Sequence, residues 1–353
     1  METAREIVED DLAYINDALR DEFAQLGGER LLVVGGAGFL GYYLVQSAVK
    51  AGIDVTVYDN FSRGTPEWLT SLEGVNLVKH DITSPMPDDA DFTYLIHAGS
   101  IASPTFYRNH PIETMDANVN GLRNLLDYSV SRDVKGFLFY SSSEIYGDPD
   151  PAHIPTPEDY RGYVSCIGPR ACYDEAKRYG ETLCVNFARV HGVPVKVARP
   201  FNNYGPGLKI TDRRVIPDFA RDVLNGRDIV MLSDGSPKRT FCYVTDAVIG
   251  YYKILVNGRP GEAYNIGVET PEISVADLAE RIVALGRDLF GYTGKVVHRA
   301  SEDGDYLVDN PNRRCPVITK ARTELGFDPK IDVDEGLRRS LIWYGGNRIA
   351  EDA

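Results

Sequence analysis

The amino-acid sequence predicts an α/β fold in which a doubly wound parallel sheet is followed by a smaller C-terminal lobe. Short apolar runs of the kind found in buried strands recur up to residue 198, with helical stretches between most of them. These runs are Leu31–Val34, Val55–Tyr58, Leu77–Val78, Phe92–His97, Gly136–Tyr140 and Val195–Ala198. After Pro200 the alternation loosens, and turn-forming residues cluster at 202–207 and 233–237. Such alternation is typical of a Rossmann-type sheet with helices on both faces.

The predicted elements divide the chain into three parts. Residues 1–28 form an N-terminal helical extension, because apolar residues recur there at helical spacing among acidic ones before Gly27 and Gly28. Those apolar residues are Ile7, Leu12, Ile15, Leu19 and Phe23. Residues 29–200 form the Rossmann domain, to which a helix and a strand at 241–268 return. Residues 201–240 and 269–353 form the substrate-binding lobe.

Composition narrows the class of protein. The 353 residues carry a formal net charge of −14, which argues against general binding to nucleic acid or to anionic membranes. No apolar run approaches the length of a membrane span, and the first residues are acidic where a signal peptide would be basic. The five cysteines are scattered, so we expect free thiols and a cytoplasmic location. The six histidines lack metal-site spacing, so no metal is expected.

A glycine-rich segment follows the first predicted strand. Gly35, Gly38 and Gly41 have the spacing G-x-x-G-x-x-G, with Phe39 and Leu40 before the last glycine. A tight turn of this kind lets the backbone approach a pyrophosphate and points a helix N-terminus at its negative charge. The other interpretation is a tight strand–helix turn without a ligand. The strand before it and an acid 18 residues after Gly41 favour a dinucleotide site.

That acid is Asp59, which ends the second predicted strand and is followed by Asn60. A carboxylate here accepts hydrogen bonds from ribose hydroxyls and repels a 2′-phosphate, which favours NAD over NADP. Arg63 is the argument for NADP, and we give it less weight. Asp81 and Ile82, after the third strand, are candidates to flank the adenine, although a solvated loop acid explains Asp81 almost as well.

A tyrosine and a lysine four residues apart are the candidate catalytic pair. On a helix, Tyr173 and Lys177 lie on one face, where the lysine charge favours a phenolate that can take a proton from a sugar hydroxyl. The strand at 136–140 ends in a serine-rich segment that contains Ser142 and Glu144. In doubly wound folds ligands bind beyond the carboxyl ends of strands, so these groups are candidates to face the same substrate. A serine-rich loop with a surface acid is the alternative.

Together these motifs resemble the extended short-chain dehydrogenase/reductase superfamily. The run from Ile167 to Arg178, the segment from His97 to Pro104 and the segment from Lys238 to Val244 are similar to UDP-glucuronate decarboxylases, also called UDP-xylose synthases. The resemblance covers about residues 29–345. Ser142 stands where that family usually has threonine, and the residues before Ile167, around Cys315 and at 207–214 also depart from its pattern.

The resemblance implies roles for individual residues. Tyr173 would deprotonate the sugar 4-hydroxyl, Lys177 would lower the tyrosine pKa and bind the nicotinamide ribose, and Ser142 would bind the 4-oxygen. Glu144 and Arg314 match the remaining active-site acid and arginine. The implied contacts to the nucleotide sugar are Ser103, Asn202, Arg214, Arg239, Tyr243 and Arg314. Independently of the resemblance, the guanidinium of Arg239 suits phosphate oxygens. The alternative interpretation is an exposed surface arginine.

The reaction that follows from the resemblance is decarboxylation. Oxidising C4 of UDP-glucuronate makes a β-keto acid, which loses carbon dioxide with its electrons drawn into the C4 oxygen; reprotonation at C5 and return of the hydride give UDP-xylose. Glu144 and Arg314, the latter through a water, are the candidate proton donors to C5.

A 4,6-dehydratase, a 4-epimerase and a non-enzymatic sensor of NAD are the competing interpretations. Ser143 replaces the acid typical of dehydratases, Glu144 argues mildly against epimerisation, and the intact Tyr173 and Lys177 argue against a sensor.

The oligomeric state is also an expectation. The helices predicted at 114–131 and 173–191 carry apolar residues on more than one face. The family resemblance implies that they pair across a two-fold axis into a four-helix bundle, which makes a homodimer. A helix wholly buried within one subunit would give the same pattern.

Overall fold

The computed structural model describes residues 2–299 and 308–347. Residues 300–307 and 348–353, which fall in the predicted C-terminal lobe, lie outside the described residues, as does Met1. In the part of the chain that is described, no helix is both long and apolar enough to cross a membrane.

The strands, numbered in chain order, are β1 (Arg30–Val34), β2 (Asp54–Asp59), β3 (Val75–Lys79), β4 (Tyr94–His97), β5 (Gly136–Tyr140), β6 (Val195–Pro200), β7 (Asn203–Tyr204), β8 (Ile229–Met231), β9 (Lys238–Arg239), β10 (Cys242–Tyr243), β11 (Ala263–Ile266), β12 (Ile273–Ser274), β13 (Val296–His298) and β14 (Arg313–Arg314).

The α-helices are α1 (Ala4–Ala18), α2 (Arg20–Leu26), α3 (Gly41–Lys50), α4 (Glu67–Thr70), α5 (Pro104–Asn109), α6 (Pro111–Asp116), α7 (Leu122–Ser131), α8 (Ala171–His191), α9 (Val215–Leu224), α10 (Val244–Asn257), α11 (Val275–Phe290), α12 (Thr319–Leu325) and α13 (Val333–Gly346). A π-helical turn, Ala117–Gly121, joins α6 to α7, and 3₁₀ turns occur at Ser143–Tyr146 and Pro151–His153.

A seven-stranded parallel sheet organises the molecule. Its order is β11-β6-β5-β4-β1-β2-β3, so the chain winds outward from β1 in both directions. Strands β4 and β5 are buried along their whole length, as strands covered on both faces must be. The predicted fold class, a doubly wound parallel sheet, is confirmed.

Each of the six predicted strand segments falls on a strand of this sheet. The boundaries differ by up to two residues: β3 is longer than the predicted pair Leu77–Val78, and β4 begins at Tyr94 rather than at residue 92. Farther along the chain, α10 packs on the sheet and β11 pairs with β6. Three small sheets complete the fold: β12-β9-β14, β10-β7 and β13-β8.

The N-terminal segment forms two helices, α1 and α2, instead of the single helix predicted before Gly27. Leu19 leaves the helical region between them at φ −113° and ψ 21°. No glycine or proline marks this break, and the apolar side chains expected on one face are all buried. Thr3 and Glu6 form a capping box that starts α1.

A buried carboxylate ties α1 to the rest of the fold. Asp11 is 0% exposed, and its Oδ2 accepts hydrogen bonds of 2.6 Å from the hydroxyls of Tyr43 on α3 and Tyr243 on β10. Its Oδ1 accepts a bond of 2.6 Å from Arg339 on α13. Tyr14 reinforces the attachment through a 2.7 Å bond to Asp246 on α10. The helix therefore holds together elements that are far apart in sequence.

We expect Asp11→Ala to lower the free energy of unfolding by about 3 kcal/mol, because it leaves the two buried hydroxyls of Tyr43 and Tyr243 without their acceptor and removes one of the two carboxylates that bind the half-buried Arg339. Urea denaturation followed by circular dichroism measures the change. Asp10→Ala, on the exposed face of the same helix, should stay within about 0.5 kcal/mol of the wild type. Equal effects of the two substitutions would contradict the assigned role of Asp11.

Candidate active site

The glycine-rich turn joins β1 to α3 at the carboxyl edge of the sheet. Gly35 has φ +78°, and a Cβ there would lie 2.5 Å from the Cα of Gly99. A Cβ on Gly41 would lie 2.1 Å from the carbonyl oxygen of Gly36. Gly38 is exposed, whereas Phe39 and Leu40 are half-buried where α3 begins. This packing requires glycine at 35 and 41 and leaves the turn's backbone accessible, which fits the close approach of a pyrophosphate.

Asp59 lies directly against this turn. Its Oδ2 accepts a hydrogen bond of 3.0 Å from the amide of Ala37, and its Oδ1 accepts one of 2.8 Å from the amide of Phe61. Burial raises the pKa of Asp59, and the two backbone amides oppose that rise. The position of this carboxylate at the end of β2 fits a dinucleotide ribose.

The other predicted cofactor residues, Asn60, Asp81 and Ile82, lie near Asp59 but differ in their exposure to solvent. The Asn60 side chain donates to Asp81 over 3.3 Å, and Asp81 also accepts from the amide of Thr83 at 3.0 Å. The side chains of Asn60 and Asp81 are exposed, whereas Ile82 is buried against Gly121. Arg63 stacks 3.9 Å from the Phe106 ring and pairs with Asp212 at 3.2 Å. Because its charge is engaged there, Arg63 gives little support to NADP.

Tyr173, Ser142 and Lys177 meet at the carboxyl end of β5. Tyr173 and Lys177 lie one turn apart in the first half of α8, and the lysine nitrogen is 5.5 Å from the centre of the tyrosine ring. The ammonium donates a 2.6 Å hydrogen bond to the carbonyl of Tyr140, the last residue of β5. Tyr173 stacks on Tyr107 of α5, with 5.0 Å between ring centres and 11° between ring planes. These contacts hold the phenol in one orientation.

Burial dominates the titration of this pair. It raises the pKa of Tyr173 to about 12, although a hydrogen bond with Ser142 lowers it in part. Burial also lowers the pKa of Lys177 to about 7. The resemblance implies that the lysine lowers the tyrosine pKa, but the loss of solvation is the largest influence on this phenol and raises its pKa overall.

Glu144 is held between two arginines. Arg314 of β14 binds both carboxylate oxygens, with N–O distances of 2.6 and 2.5 Å, and Arg170 donates to the same carboxylate. Burial by itself would raise the pKa of Glu144, but the charges of Arg170 and Arg314 and their hydrogen bonds lower it overall. The structure therefore brings Glu144 and Arg314 together, although 170 positions separate them in the sequence.

Arg239 is a buried cation. It is 8% exposed, so the interpretation as an exposed surface arginine is wrong. Its guanidinium donates to main-chain carbonyls, including that of Asn312 at 3.2 Å, and the register of the small sheet places it beside Arg314. Within residues 2–299 and 308–347 its hydrogen-bond partners are main-chain carbonyls and the amide oxygen of Asn310, and no carboxylate pairs with it. Burial, and then the charge of Arg314, lower the pKa of Arg239 to about 9. Such a group suits an anionic ligand.

Two other predicted substrate contacts, Ser103 and Arg214, lie against a residue that sequence reasoning missed, Asp212. Its carbonyl accepts a 2.7 Å bond from Ser103, and its carboxylate lies 2.9 Å from Arg214. Asn202, at a positive φ of 42°, donates over 2.9 Å to the carbonyl of Thr240, the neighbour of Arg239.

Tyr243 is the exception among the predicted contacts. It is 0% exposed and its hydroxyl is bound to Asp11, so its side chain has no surface to offer a ligand. The structure therefore does not bring Tyr243 to the other candidate substrate contacts. The reason is that β10 turns this side chain inward, toward the N-terminal helix.

Arg170 and Asp174 were missed as site residues. Their four-residue spacing, with Tyr173 between them, is the signal that could have found them, because it places all three in one helical turn.

The chemistry that this site can perform follows from its side chains. The phenol of Tyr173 and the hydroxyl of Ser142 can exchange a proton with a substrate oxygen, and the buried guanidiniums can bind anionic groups nearby.

We expect Gly35→Ala to abolish retention of NAD, because the new methyl group would displace the backbone at Gly99 and open the turn. The dinucleotide content of the purified protein, read by absorbance and mass spectrometry, measures this. Gly52→Ala is the matched control: Gly52 has nearly the same φ, +77°, but nothing lies within 4 Å of the added Cβ. If both variants keep the dinucleotide, the turn does not hold it.

Comparison with known proteins agrees with this geometry. The model of the NAD dependent epimerase/dehydratase family matches residues 31–267. UDP-glucuronic acid decarboxylase 1 of Xenopus tropicalis is 36% identical over 320 residues, which cover 90% of this chain and 72% of that protein. UDP-glucuronic acid decarboxylase 3 of Arabidopsis thaliana is 38% identical over 312 residues, covering 87% and 86% of the two chains.

Solved structures show the same architecture. An epimerase of Methanothermobacter thermautotrophicus superimposes with a TM-score of 0.80 at 29% identity, covering 92% of this chain and 94% of the other. A UDP-glucose 4-epimerase of Thermotoga maritima, solved with UDP-glucose, gives 0.78 at 27% identity, with 89% and 98% covered. The chain therefore belongs to the NAD dependent epimerase/dehydratase family, and its cofactor is NAD.

Proposed function

We propose that this protein is a UDP-glucuronate decarboxylase that forms UDP-xylose and regenerates its NAD within each turnover. The observation that carries the proposal is the largely buried cluster of Glu144, Arg170 and Arg314 next to Tyr173 and Ser142. A site for proton exchange at C4 thus adjoins guanidinium groups suited to a sugar carboxylate. The relatives named UDP-glucuronic acid decarboxylase support the same assignment.

The residues that would hold NAD are those of the carboxyl edge of the sheet. The pyrophosphate would lie on the turn at Gly35, Gly38, Phe39, Leu40 and Gly41, the adenosine near Asp59, Asn60, Asp81 and Ile82, and the nicotinamide ribose near Tyr173 and Lys177. When bound, NAD supplies the acceptor that takes a hydride from C4 of the sugar and later gives it back.

Tyr173 and Ser142 act on the C4 oxygen. Tyr173, as phenolate, takes the proton of the 4-hydroxyl, and Ser142 keeps the oxygen in place by a hydrogen bond. Once C4 is a ketone, the neighbouring carboxylate leaves as carbon dioxide and its electron pair moves toward the C4 oxygen. The protonated Tyr173 and Ser142 then stabilise the enolate by donating to that oxygen.

The C5 proton requires a source, and the charge state of Glu144 bears on the choice. Because the two arginines lower its pKa, Glu144 carries no proton near neutral pH. This favours a water held by Arg314 over Glu144 as the immediate donor. Glu144 would then orient Arg314, which pairs with the substrate carboxylate before it leaves.

The remaining anionic part of the substrate is the diphosphate. We assign it to Arg239, whose buried charge has only main-chain and amide oxygens as hydrogen-bond partners among the described residues. Asn202, Arg214 and Ser103 would position the nucleotide around it. In this proposal residues 29–200 and 241–268 bind NAD, residues 201–240 and 269–353 bind the nucleotide sugar, and residues 1–28 are an extension that secures both.

Incubation with NAD⁺ and a panel of UDP- and dTDP-sugars, read by mass spectrometry, tests the proposal. We expect loss of carbon dioxide from UDP-glucuronate. Dehydration or epimerisation of a neutral sugar, with UDP-glucuronate untouched, would instead establish a 4,6-dehydratase or a 4-epimerase.

We expect Tyr173→Phe to lower kcat by about 10²- to 10⁴-fold, the usual contribution of a general base, while NAD stays bound. Tyr179→Phe removes an exposed hydroxyl from the same helix and should leave kcat unchanged. Undiminished turnover by Tyr173→Phe would refute the base assignment.

A homodimer through a four-helix bundle is also part of the proposal. The outer faces of α6, α7 and α8 expose large apolar side chains, namely Ile112, Met115, Val130, Tyr179, Val185 and Val190. Pairing α7 and α8 with those of a second copy would cover them.

The five cysteines are free, which supports a reducing compartment such as the cytoplasm.

We expect Val185→Arg to convert the dimer into a monomer, because it places a charge in the apolar contact between the two copies. Light scattering coupled to size-exclusion chromatography measures the mass. Phe290→Arg alters an exposed apolar residue on α11 and should leave the dimer intact. A Val185→Arg protein that remains dimeric would place the interface elsewhere.

A further inference from the structure

Asp174 is a buried carboxyl group for which the proposed reaction has no use. It follows Tyr173 in the first turn of α8 and is 5% exposed. Its Oδ2 lies 3.8 Å from Nε of Arg170, the arginine that also binds Glu144. Among the described residues no hydrogen-bond donor reaches its Oδ1. A carboxylate with one buried oxygen left without a donor is costly, so this environment favours the neutral acid.

The charges around the Glu144 cluster give this protonation state a consequence. Two buried guanidiniums, Arg170 and Arg314, face the single carboxylate of Glu144. While Asp174 is neutral, the cluster keeps a surplus of one positive charge, which matches the one carboxylate that distinguishes a uronic acid from a neutral sugar. An ionised Asp174 would share Arg170 and cancel that surplus.

We propose that Asp174 is a specificity-determining residue: as a neutral acid it leaves one arginine charge of the Glu144 cluster free for the carboxylate of the sugar. The inference rests on the proposed function and extends it, since it explains how an acidic protein keeps a positive site for an anionic sugar. Asp174 acts through Arg170 and Glu144 and need not touch the substrate.

The groups that face Asp174 come from several elements. They are Arg170 at the N-cap of α8, Cys172 and Tyr173 of α8, Glu144 of the 3₁₀ turn, Tyr107 of α5, Arg314 of β14 and the exposed Asp309. Burial and then the charge of Glu144 raise the pKa of Asp174 to about 8, against the opposing charges of Arg170 and Arg314. The helix N-terminus favours the ionised form, but by a smaller amount than burial opposes it. Asp174 is therefore protonated below this pH and ionised above it.

The expected consequence is a loss of affinity for the carboxylated sugar as pH rises through about 8. Binding that requires one protonated group weakens by up to about tenfold for each pH unit above the pKa of that group. A UDP-sugar without a carboxylate should not share this loss. The ratio of the two affinities isolates the effect, because titration of the cofactor site and of Lys177 acts on both ligands.

Calorimetric titration of the full-length protein loaded with NADH, from pH 6 to pH 9.5, tests the inference with UDP-glucuronate and UDP-glucose. NADH cannot accept a hydride, so UDP-glucuronate is bound without being consumed. For the wild type we expect the preference for UDP-glucuronate to fall about fivefold between pH 8 and pH 9. For Asp174→Asn, which is neutral at every pH, we expect the preference to stay constant over that range.

Glu175→Gln is the matched control, because it makes the same change at the next position of α8, where the carboxylate is exposed. It should keep the pH dependence of the wild type. A constant preference in the wild type, or an unchanged fall in Asp174→Asn, would overturn the inference. A constant preference in the wild type overturns the inference even if Asp174→Asn does not fold. Decarboxylation with NAD⁺ at pH 7 tests the proposed function separately, so the two failures can be told apart.

Discussion

The ion pairs of Glu144 join three parts of the chain that the sequence keeps far apart. The carboxylate comes from the turn after β5, Arg170 from the start of α8, and Arg314 from β14 near the C-terminus. Because both guanidiniums are buried and the carboxylate is only 16% exposed, loss of one partner would leave an uncompensated charge, at a cost of about 3–5 kcal/mol. The register of β14 on β9 then places Arg239 beside Arg314. The candidate site for the anionic substrate thus depends on this one contact.

Burial governs the chemistry of the neighbouring pair as well. Tyr173 and Lys177 are both taken out of water, which favours the neutral form of each. The phenol is therefore not activated by its lysine alone. The hydrogen bond with Ser142 and the stacking on Tyr107 fix its position, and additional positive charge beside it would favour the phenolate.

A buried carboxylate on the N-terminal helix α1 likewise joins distant parts of the chain. Asp11 receives hydrogen bonds from α3, which starts at the glycine-rich turn, and from β10, which follows Arg239 closely in the chain. Arg339 brings α13 to the same carboxylate. One buried acid therefore links the elements that would position the cofactor with those that would position the sugar nucleotide.

Much of this protein could be predicted from its sequence, because the features concerned are local. The alternation of apolar runs determined the parallel sheet, and the glycine spacing, Asp59 and the Tyr173–Lys177 pair lie within short segments whose geometry follows from one strand, turn or helix. Strand ends were less accurate, since pairing with neighbours rather than propensity decides where β3 and β4 begin. The break at Leu19 has no local signal at all.

Only the tertiary structure decided which distant charges meet. In the sequence, Arg170 and Asp174 lie beside Tyr173. Their role becomes clear only in the fold, where Arg314, 170 positions after Glu144, binds the Glu144 carboxylate. In the same way, Tyr243 fits a substrate contact by motif, whereas its hydroxyl lies in the core against Asp11. Burial and electrostatics depend on all neighbours in space, and a sequence pattern records only the neighbours along the chain.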